Sequence, residues 1–436
     1  MNNLSNTPSG TLKLWLRDTR ARSRSLYIDL SVDQLLGPKM EIVNPPLWEI
    51  GHLGWFQEYW CLRFRGTDRD LLPSILANAD VLYNSATVAH DSRWGLPLPS
   101  ITATQRYLDD VTERVLERLD REPDDAALRY FAELAVYHED MHGEAFHYTR
   151  QTLGYSRPRL GAIIHAPLGA TSQGDAEISG DQFMLGADPH GTGFVFDNEK
   201  WAHEIFVAPF RMAKTSVSNG EFLAFVESDG YRHREWWSDV GWAWREREGA
   251  LHPVYWQRQN GEWTLREFDR WAPLNERKND AVIFVNWFEA EAYCQFAKRR
   301  LPTEAEWELA ASGMEKRQYP WVSSSDASNT GPRANLDGLS AAIEAVSAFP
   351  DSDTPEGIRQ MWGNVWEWTA DAFAPYPGFA RDPYKEYSEP WFGDHKVLRG
   401  GCFATRSRLL RNTWRNFYTP DRRDVFAGFR TCALES

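Results

Sequence analysis

Cysteine is scarce in this chain, which has only four cysteines among its 436 residues. They stand at 61, 294, 402 and 432, and no CxxC pair occurs. This spacing argues against a disulfide framework and against a structural zinc site made of thiolates. We therefore expect reduced cysteines in a cytoplasmic protein.

Long apolar runs and an excess of positive charge are also missing. No stretch of 18 or more apolar residues could span a membrane, and the N-terminus "MNNLSNTPSG" lacks the pattern of a secretory signal. The net charge of −14 argues against a nucleic-acid or anionic-membrane partner. These absences favour a cytoplasmic protein, and a local basic site for an acidic substrate stays possible.

The two halves of the chain follow different patterns. Residues 1–155 show apolar positions at three- and four-residue intervals in four long segments, which predict a four-helix bundle with a crossover loop over roughly 67–100. Residues 181–436 show short apolar runs between turn residues, together with two helices, "NWFEAEAYCQFAKRR" and one that Thr303 and Glu306 begin as a capping box. Residues 156–180 are predicted to be a linker, so the fold class is a two-domain α+β protein.

The stretch "AVYHEDMHGEAFHY", residues 135–148, places three histidines on one predicted helix. His138 and His142 are four positions apart, about 40° around the helix axis, so both can reach one metal ion. His147 lies nine positions after His138, on nearly the opposite face, and is predicted to be a packing or surface residue.

A third histidine, His52, lies in the second predicted helix within "LWEIGHLGWFQEYW". Helix bundles build metal sites from side chains on facing helices, and three neutral imidazoles leave open positions for catalysis. Iron(II), zinc, copper and nickel all accept imidazole, so the residue types alone do not choose the metal. Two alternatives stay open: Glu58 in place of His52, and histidines that are only polar surface positions.

Several motifs carry a resemblance to known families. The N-terminal half resembles a DinB-type bundle with an iron-binding HxxxH helix. The motifs "LPTEAEWE", "GNVWEW", "LRGG" and "GFR" resemble the formylglycine-generating-enzyme or C-type-lectin-like fold. Together the halves resemble the nonheme-iron sulfoxide synthases of ergothioneine biosynthesis, whose plan the ovothiol and selenoneine synthases share.

This resemblance implies a cofactor and a reaction. His52, His138 and His142 would hold Fe(2+). O2 would bind at an open position, and a C–S or C–Se bond would form on the imidazole of trimethylhistidine (hercynine), in selenoneine or ergothioneine biosynthesis. Tyr376, in "APYPGF", would assist proton or electron delivery, although packing is the alternative for this tyrosine.

The resemblance also implies substrate contacts, and the chain departs from the family pattern at some of them. Asn416 and Phe417 match positions that contact hercynine. Met141 stands where the ergothioneine enzymes carry an amide, and Tyr418 where an acid is expected.

The donor segment "AHDSRWGLPLP" keeps Arg93 but has His90 at the position of a second arginine. A donor with two carboxylates would require paired arginines. We therefore expect a selenosugar or cysteine as donor, rather than γ-glutamylcysteine.

Two other functions are consistent with the residues. A DinB-type bundle can hold zinc or nickel and transfer thiols, and the C-terminal fold could be a non-enzymatic, C-type-lectin-like binding module. Cys402, in "RGGCF", could be taken for a copper-binding cysteine of the formylglycine enzymes. That chemistry needs a second cysteine nearby, so we expect Cys402 to be a buried small residue.

Overall fold

A computed structural model describes residues 6–66, 71–165, 168–170, 172–321 and 332–434. The chain forms two compact units. Unit 1 consists of Met1–Leu160 with His190–Phe194, and unit 2 of Gly161–Pro189 with Val195–Ser436. The segment 156–180, predicted as a linker, also contains a strand, Asp175–Ile178.

Unit 1 is an all-helical bundle in the part of the chain that is described. Its helices are α1 Ser9–Tyr27, α2 Val32–Leu36, α3 Pro46–Glu58, α4 Ala79–Tyr83, α5 Ile101–Arg121 and α6 Ala126–Leu153. α3 continues into one π-helical turn, Tyr59–Arg63. The predicted crossover contains α4 and a 3-10 helix, His90–Gly95, while residues 67–70 of it lie outside the described residues.

α3 lies in the interior of unit 1. Every residue of this helix except Leu47 is buried, because α2, α4, α5 and α6 all pack against it. A helix that is apolar around its whole circumference belongs inside a protein. The polar side chains of α3, including Glu49 and His52, are therefore held away from bulk water.

α6 has well-defined ends. Asp125 accepts hydrogen bonds from the backbone N–H groups of Ala127 and Leu128 at 2.9 and 3.0 Å. At the other end Gly154 adopts a left-handed conformation with φ of 66°, which glycine tolerates without a steric penalty. The helix that carries His138 and His142 thus begins at a capping aspartate and ends at a glycine.

Unit 2 is built of short strands in four sheets within its described residues. The strand orders are β1-β4-β13-β8, β11-β10-β9-β12, β2-β3 and β5-β6-β7. All pairings are antiparallel except β12 with β9. The strands are β1 Asp175–Ile178, β2 Asp181–Leu185, β3 His203–Val207, β4 Phe210–Ala213, β5 Trp256–Gln259, β6 Glu262–Glu267, β7 Arg270–Pro273, β8 Arg299–Arg300, β9 Trp366–Ala372, β10 Lys396–Arg399, β11 Asn416–Tyr418, β12 Ala427–Gly428 and β13 Cys432–Ala433.

The helices of unit 2 include both that the sequence predicts. They are α7 Asn219–Glu227, α8 Asp239–Glu248, α9 Trp287–Ala297 and α10 Glu304–Ser312. α9 and α10 confirm the predicted helices, and Thr303 and Glu306 form the predicted capping box. The sequence did not predict α7, α8 or the sheet β5-β6-β7, where apolar periodicity is weak.

The sequence motifs of the C-terminal half meet in the interior of unit 2 as ion pairs. Glu304, from "LPTEAEWE", pairs with Arg399 and Arg415 at 2.9 and 2.6 Å. Glu367, from "GNVWEW", pairs with Arg430, from "GFR", at 2.8 Å. All five side chains are buried. Removing one partner would leave a buried unpaired charge, so these motif residues hold the fold together.

The four cysteines are free thiols with buried side chains, and Cys402 is fully buried, as predicted for it. Among the described helices, none combines the length and apolar character that crossing a membrane requires.

Candidate metal centre

Three histidines from two helices of unit 1 converge. His52 on α3 and His138 and His142 on α6 each offer one ring nitrogen, and these nitrogens lie within 4.8 Å of one another. The Nε2 atoms of His52 and His138 are 3.3 Å apart. Within the described ranges, no other group of histidine, cysteine or acidic residues meets this spacing. The facing-helix arrangement that the sequence suggested is thus present in the fold.

The outer ring nitrogens of two of these histidines are engaged by acceptors. His52 Nδ1 lies 2.8 Å from the backbone oxygen of Tyr83, and His142 Nδ1 lies 2.6 Å from Oε1 of Glu49. A donor at Nδ1 leaves the Nε2 lone pair available to a metal. Both rings are therefore in the tautomer that a metal site requires.

Burial keeps His52 and His138 neutral. Their side chains are 3% and 4% exposed. Desolvation lowers the pKa of each well below its usual value, and the nearby His142 lowers each pKa further. Phe56 stacks on the His138 ring at 3.5 Å, and Trp48 stacks on the His52 ring at 5.1 Å. Neutral imidazoles in an apolar surround are the form in which histidine binds metals.

These features fit a divalent transition metal with imidazole ligands. Three nitrogen donors converge, burial keeps His52 and His138 unprotonated, and outer hydrogen bonds hold the rings of His52 and His142. Three protein ligands leave further coordination positions for substrates, as in catalytic metal sites.

Two nearby residues that the sequence weighed for the site lie elsewhere. His147 is buried on α6, where its Nδ1 is 2.8 Å from the backbone oxygen of Gly143, and burial lowers its pKa to about 3. Glu58 is fully buried and accepts hydrogen bonds from the hydroxyl groups of Tyr107 and Ser74. Together with the backbone N–H of Ile75, these donors engage both carboxylate oxygens, and Glu58 is not in the group whose ligand atoms converge, which favours His52 over Glu58 as the third ligand.

Arg93 lies beside the histidine cluster in unit 1. Its guanidinium stacks over Trp48 at 3.8 Å and donates to the side chain of Asn44 and the backbone oxygen of Val88. Burial lowers its pKa to about 10, and the negative charge of Glu49 opposes that shift. Arg93 thus brings a buried positive charge near the cluster.

Two further residues that the sequence assigned to substrate binding, His90 and Met141, lie in unit 1. The His90 Nε2 is 2.9 Å from the backbone oxygen of Val43, and its ring packs edge-on against Trp94 at 5.3 Å. The backbone contact accounts for the orientation of the ring. Met141 is half-buried on α6, immediately before His142.

The predicted substrate contacts in unit 2 lie together on β11. Asn416, Phe417 and Tyr418 are consecutive and half-buried. Phe417 stacks on Phe373 at 4.1 Å, and the guanidinium of Arg422 lies over the ring of Tyr418 at 5.0 Å. Because successive side chains of a strand point to opposite faces, Phe417 lies on one face of β11, and Asn416 and Tyr418 lie on the other.

Tyr376 belongs to the buried ion-pair network of unit 2. Its hydroxyl lies 3.3 Å from Glu304 and 3.4 Å from Arg399, and the ring lies under Arg415 at 4.1 Å. Burial raises the pKa of the phenol well above its usual value. These contacts give Tyr376 the packing role that the sequence left open, and its catalytic role stays a prediction.

Sequence reasoning missed Glu49 and the Tyr83 carbonyl. Glu49 precedes His52 by three positions, so both share one face of α3, and an acid in an otherwise apolar helix was a usable signal. The carbonyl of Tyr83 had no signal, because any residue type supplies a backbone oxygen.

Comparison with known proteins supports both units. Residues 16–146 match the DinB superfamily, and residues 166–434 match the sulfatase-modifying factor enzyme 1-like domain. These matches confirm the predicted fold class, a DinB-like bundle followed by a formylglycine-generating-enzyme-like domain.

Curated relatives align over nearly the whole chain. The hercynine oxygenase of Mycolicibacterium thermoresistibile is 37% identical over 94% of this chain and 92% of its own length. The hercynine oxygenase of Mycobacterium tuberculosis is 35% identical over 94% of this chain and 96% of its own. The formylglycine-generating enzyme of Streptomyces coelicolor is 30% identical over 61% of this chain and 90% of its own. Because both domains align with the first two relatives, the chain belongs to the hercynine oxygenase family, a family of oxygen-dependent oxidoreductases.

Proposed function

We propose that this protein is an O2-dependent nonheme Fe(II) enzyme that forms a C–S or C–Se bond on the imidazole ring of hercynine. The observation that carries the proposal is the convergence of three imidazole nitrogens within 4.8 Å. The hercynine oxygenases that align over 94% of this chain support hercynine and O2 as the substrates.

The proposed reaction balances without a further reductant. A ring C–H bond and the S–H or Se–H bond of the donor break, and a carbon–chalcogen bond forms. One oxygen atom of O2 is transferred to the chalcogen, and the other leaves as water with the two hydrogens. The four electrons that reduce O2 come in two pairs, from formation of the carbon–chalcogen bond and from oxidation of the chalcogen.

The residues of unit 1 prepare the site for this chemistry. His52, His138 and His142 would hold Fe(II), which would supply the redox partner that O2 needs to react with closed-shell substrates. Trp48 and Phe56 cover two of the rings and keep water from them. Exclusion of water keeps the imidazoles neutral and ready to bind the metal.

β11 of unit 2 is proposed to contribute to hercynine binding. A quaternary ammonium is attracted to the faces of aromatic rings. Phe417 lies in an aromatic group with Phe373, Tyr387 and His395, at centroid distances of 4.1, 5.9 and 5.9 Å. Asn416 adds an amide for the polar end of the substrate. Tyr418 and Met141 replace the acid and the amide of the ergothioneine pattern.

Tyr376 is the proposed source of a proton or electron. Burial raises the pKa of the phenol well above its usual value, so the hydroxyl keeps its proton at neutral pH and would give it only to a strongly basic acceptor. Arg399 and Glu304 fix the position of the hydroxyl.

The charge near the cluster favours a donor with few carboxylates. Arg93 Nε is buried and has no hydrogen-bond partner among the described residues, so one donor direction is available to a ligand. At the position of a second arginine, His90 is turned to the backbone oxygen of Val43. A single guanidinium fits cysteine or a selenosugar better than γ-glutamylcysteine, which has two carboxylates.

One experiment tests metal, reaction and donor together. The protein is loaded with Fe(II) anaerobically and then assayed in air with hercynine and cysteine, γ-glutamylcysteine or selenosugar in parallel, with O2 uptake and product masses recorded. We expect hercynine-dependent O2 uptake and an adduct with the selenosugar or cysteine. His138→Ala should abolish both by removing a ligand, whereas His147→Gln should retain them.

Two outcomes contradict the proposal. Zinc as the bound metal, with thiol transfer that needs no O2, would assign the protein to the DinB-type transferases. A γ-glutamylcysteine adduct as the main product would contradict the role given to His90 and Arg93.

A further inference from the structure

Glu49 is buried and directly contacts the cluster formed by His52, His138 and His142. Its side chain is 1% exposed, and its Oε1 lies 2.6 Å from Nδ1 of His142. The corresponding atom of His52, its Nδ1, instead meets a backbone carbonyl, that of Tyr83, at 2.8 Å. The two rings thus have outer partners of different charge.

A carboxylate acts on an imidazole more strongly than a carbonyl does. A hydrogen bond to an ionised acceptor is shorter and about twice as strong as one between neutral groups. It fixes the N–H on Nδ1, fixes the plane of the ring, and makes the opposite nitrogen a better electron donor. Among the two rings with identified partners, His142 therefore gains the greater donor strength.

The position of Glu49 on α3 also matters. Glu49 and His52 lie three residues apart on one face of the same buried helix, while His142 belongs to α6. α3 therefore supplies one ring directly and orients a second ring from the facing helix. The relative position of two of the three nitrogens depends on this one rigid element.

The charge of Glu49 is compensated where it lies. Besides the His142 N–H, the positive charge of Arg93 interacts with Glu49. A buried carboxylate with neither partner would be an uncompensated charge, which strongly destabilises a fold. The hydrogen bond to His142 therefore gives a reason for the presence of a carboxylate in this buried, largely apolar helix.

We propose that Glu49 is a positioning residue for the metal centre, and that its carboxylate sets the orientation and donor strength of His142. The inference rests on the proposed function only in taking the metal to be Fe(II). Glu49 acts through His142 and does not itself contact the metal or a substrate.

The test measures Fe(II) binding apart from turnover. Anaerobic titration of the full-length protein with Fe(II) gives Kd for the wild type, Glu49→Gln and Glu49→Ala. We expect Glu49→Ala to weaken binding by about 10- to 100-fold, the usual effect of losing an outer hydrogen-bond partner of a metal ligand. Glu49→Gln keeps an acceptor without the charge, so its loss should be smaller.

A spectroscopic measurement separates positioning from general damage. The electron paramagnetic resonance spectrum of the Fe(II) complex with nitric oxide reports the ligand field, and it should change in Glu49→Gln. Glu58→Gln is the matched control, because Glu58 is also a buried carboxylate on α3 but bonds to Tyr107 and Ser74. Glu58→Gln should lower thermal stability but leave the Kd for Fe(II) and the spectrum unchanged.

Each outcome decides the inference. Wild-type Kd and spectrum in both Glu49 variants would overturn it, and so would an equal loss in Glu58→Gln. If Glu49→Ala does not fold, the isosteric Glu49→Gln decides alone. Fe(II) binding without hercynine turnover contradicts the proposed function only, whereas no Fe(II) binding by the wild type contradicts both.

Discussion

At the scale of single residues, unit 1 contains histidines that burial forces to stay neutral. His52, His138 and His147 all have lowered pKa values, and desolvation is the largest cause for each. For the first two, neutrality prepares metal binding. For His147, which lies outside the cluster, it has a consequence for stability that can be measured separately.

We predict that His147 makes the metal-free protein sensitive to acid. Its pKa falls to about 3 in the fold, because burial and then the charges of Arg22 and Arg150 oppose protonation. The unfolded chain binds a proton near pH 6.5, and the folded chain does not. Stability is therefore full above pH 6.5 and declines below it by about 1.4 kcal/mol per pH unit until the folded pKa is reached.

Urea unfolding at several pH values between 8 and 5 checks this prediction. His147→Gln should show a free energy of unfolding that falls less steeply between pH 6.5 and 5 than that of the wild type. The other buried histidines are common to both proteins and cancel in the comparison. The difference in the free energy of unfolding between the two proteins at pH 8 serves as the control, since it reports packing alone. Equal slopes of this free energy against pH would contradict the prediction.

At the scale of elements, α3 depends on close approach by its neighbours. A Cβ atom on Gly51 would lie 2.2 Å from the ring of Tyr83, and one on Gly54 would lie 2.7 Å from Leu108. Trp48 also donates to the backbone oxygen of Leu82 at 2.7 Å, which ties α4 to α3. The glycines let the helix pack tightly, and the end of α4 thereby presents its carbonyl to His52.

We predict that Gly51→Ala damages both packing and metal binding. The added methyl group must displace Tyr83, a fully buried side chain, which costs about 1–3 kcal/mol for overpacking of this kind. Because the Tyr83 carbonyl holds His52, Fe(II) affinity should fall as well. Thermal unfolding and anaerobic Fe(II) titration measure the two effects.

Gly143→Ala is the matched control for this substitution. Gly143 also lies inside a buried helix, but a Cβ there would meet only Leu26, at an ordinary distance of 3.6 Å. Alanine favours the helix over glycine by about 1 kcal/mol, so stability should be kept or raised. Wild-type Fe(II) affinity in Gly51→Ala would contradict the link between α4 and His52.

At the scale of the whole molecule, unit 2 contains ion pairs that are buried among its short strands. Arg430 is fully buried, bonds both carboxylate oxygens of Glu367 at 2.8 Å, and donates to the backbone oxygens of Ala213 and Arg359. Trp307 donates to the same carboxylate at 2.8 Å. One ion pair thus joins segments that are far apart in sequence.

We predict that Arg430→Met destabilises the protein by about 3–5 kcal/mol, because Glu367 is left as a buried, uncompensated charge. Denaturant unfolding measures the loss. The double variant Glu367→Gln, Arg430→Met should be more stable than Arg430→Met alone, since it removes the stranded charge. Additive losses in the double variant would contradict this account.

The reach of sequence reasoning differed between the two units. In unit 1, the helical spacing of His138 and His142 predicted that both lie on one face. In unit 2, periodicity and capping residues predicted α9 and α10. The strands β5, β6 and β7 were not predicted, because they are short and lack strict alternation of apolar and polar residues. Short strands are specified by pairing partners distant in sequence, which local patterns do not contain.

The sequence by itself determined the fold class, the family and the pair of histidines on α6, since these depend on local periodicity and on motifs. Only the tertiary structure decided that His52 and not Glu58 faces that pair, that Glu49 bonds His142, and that the Tyr83 carbonyl bonds His52. It also assigned the motif glutamates and arginines to buried ion pairs. Each of these facts depends on which helix or strand packs against which, and such long-range contacts arise only when the whole chain buries its apolar surface.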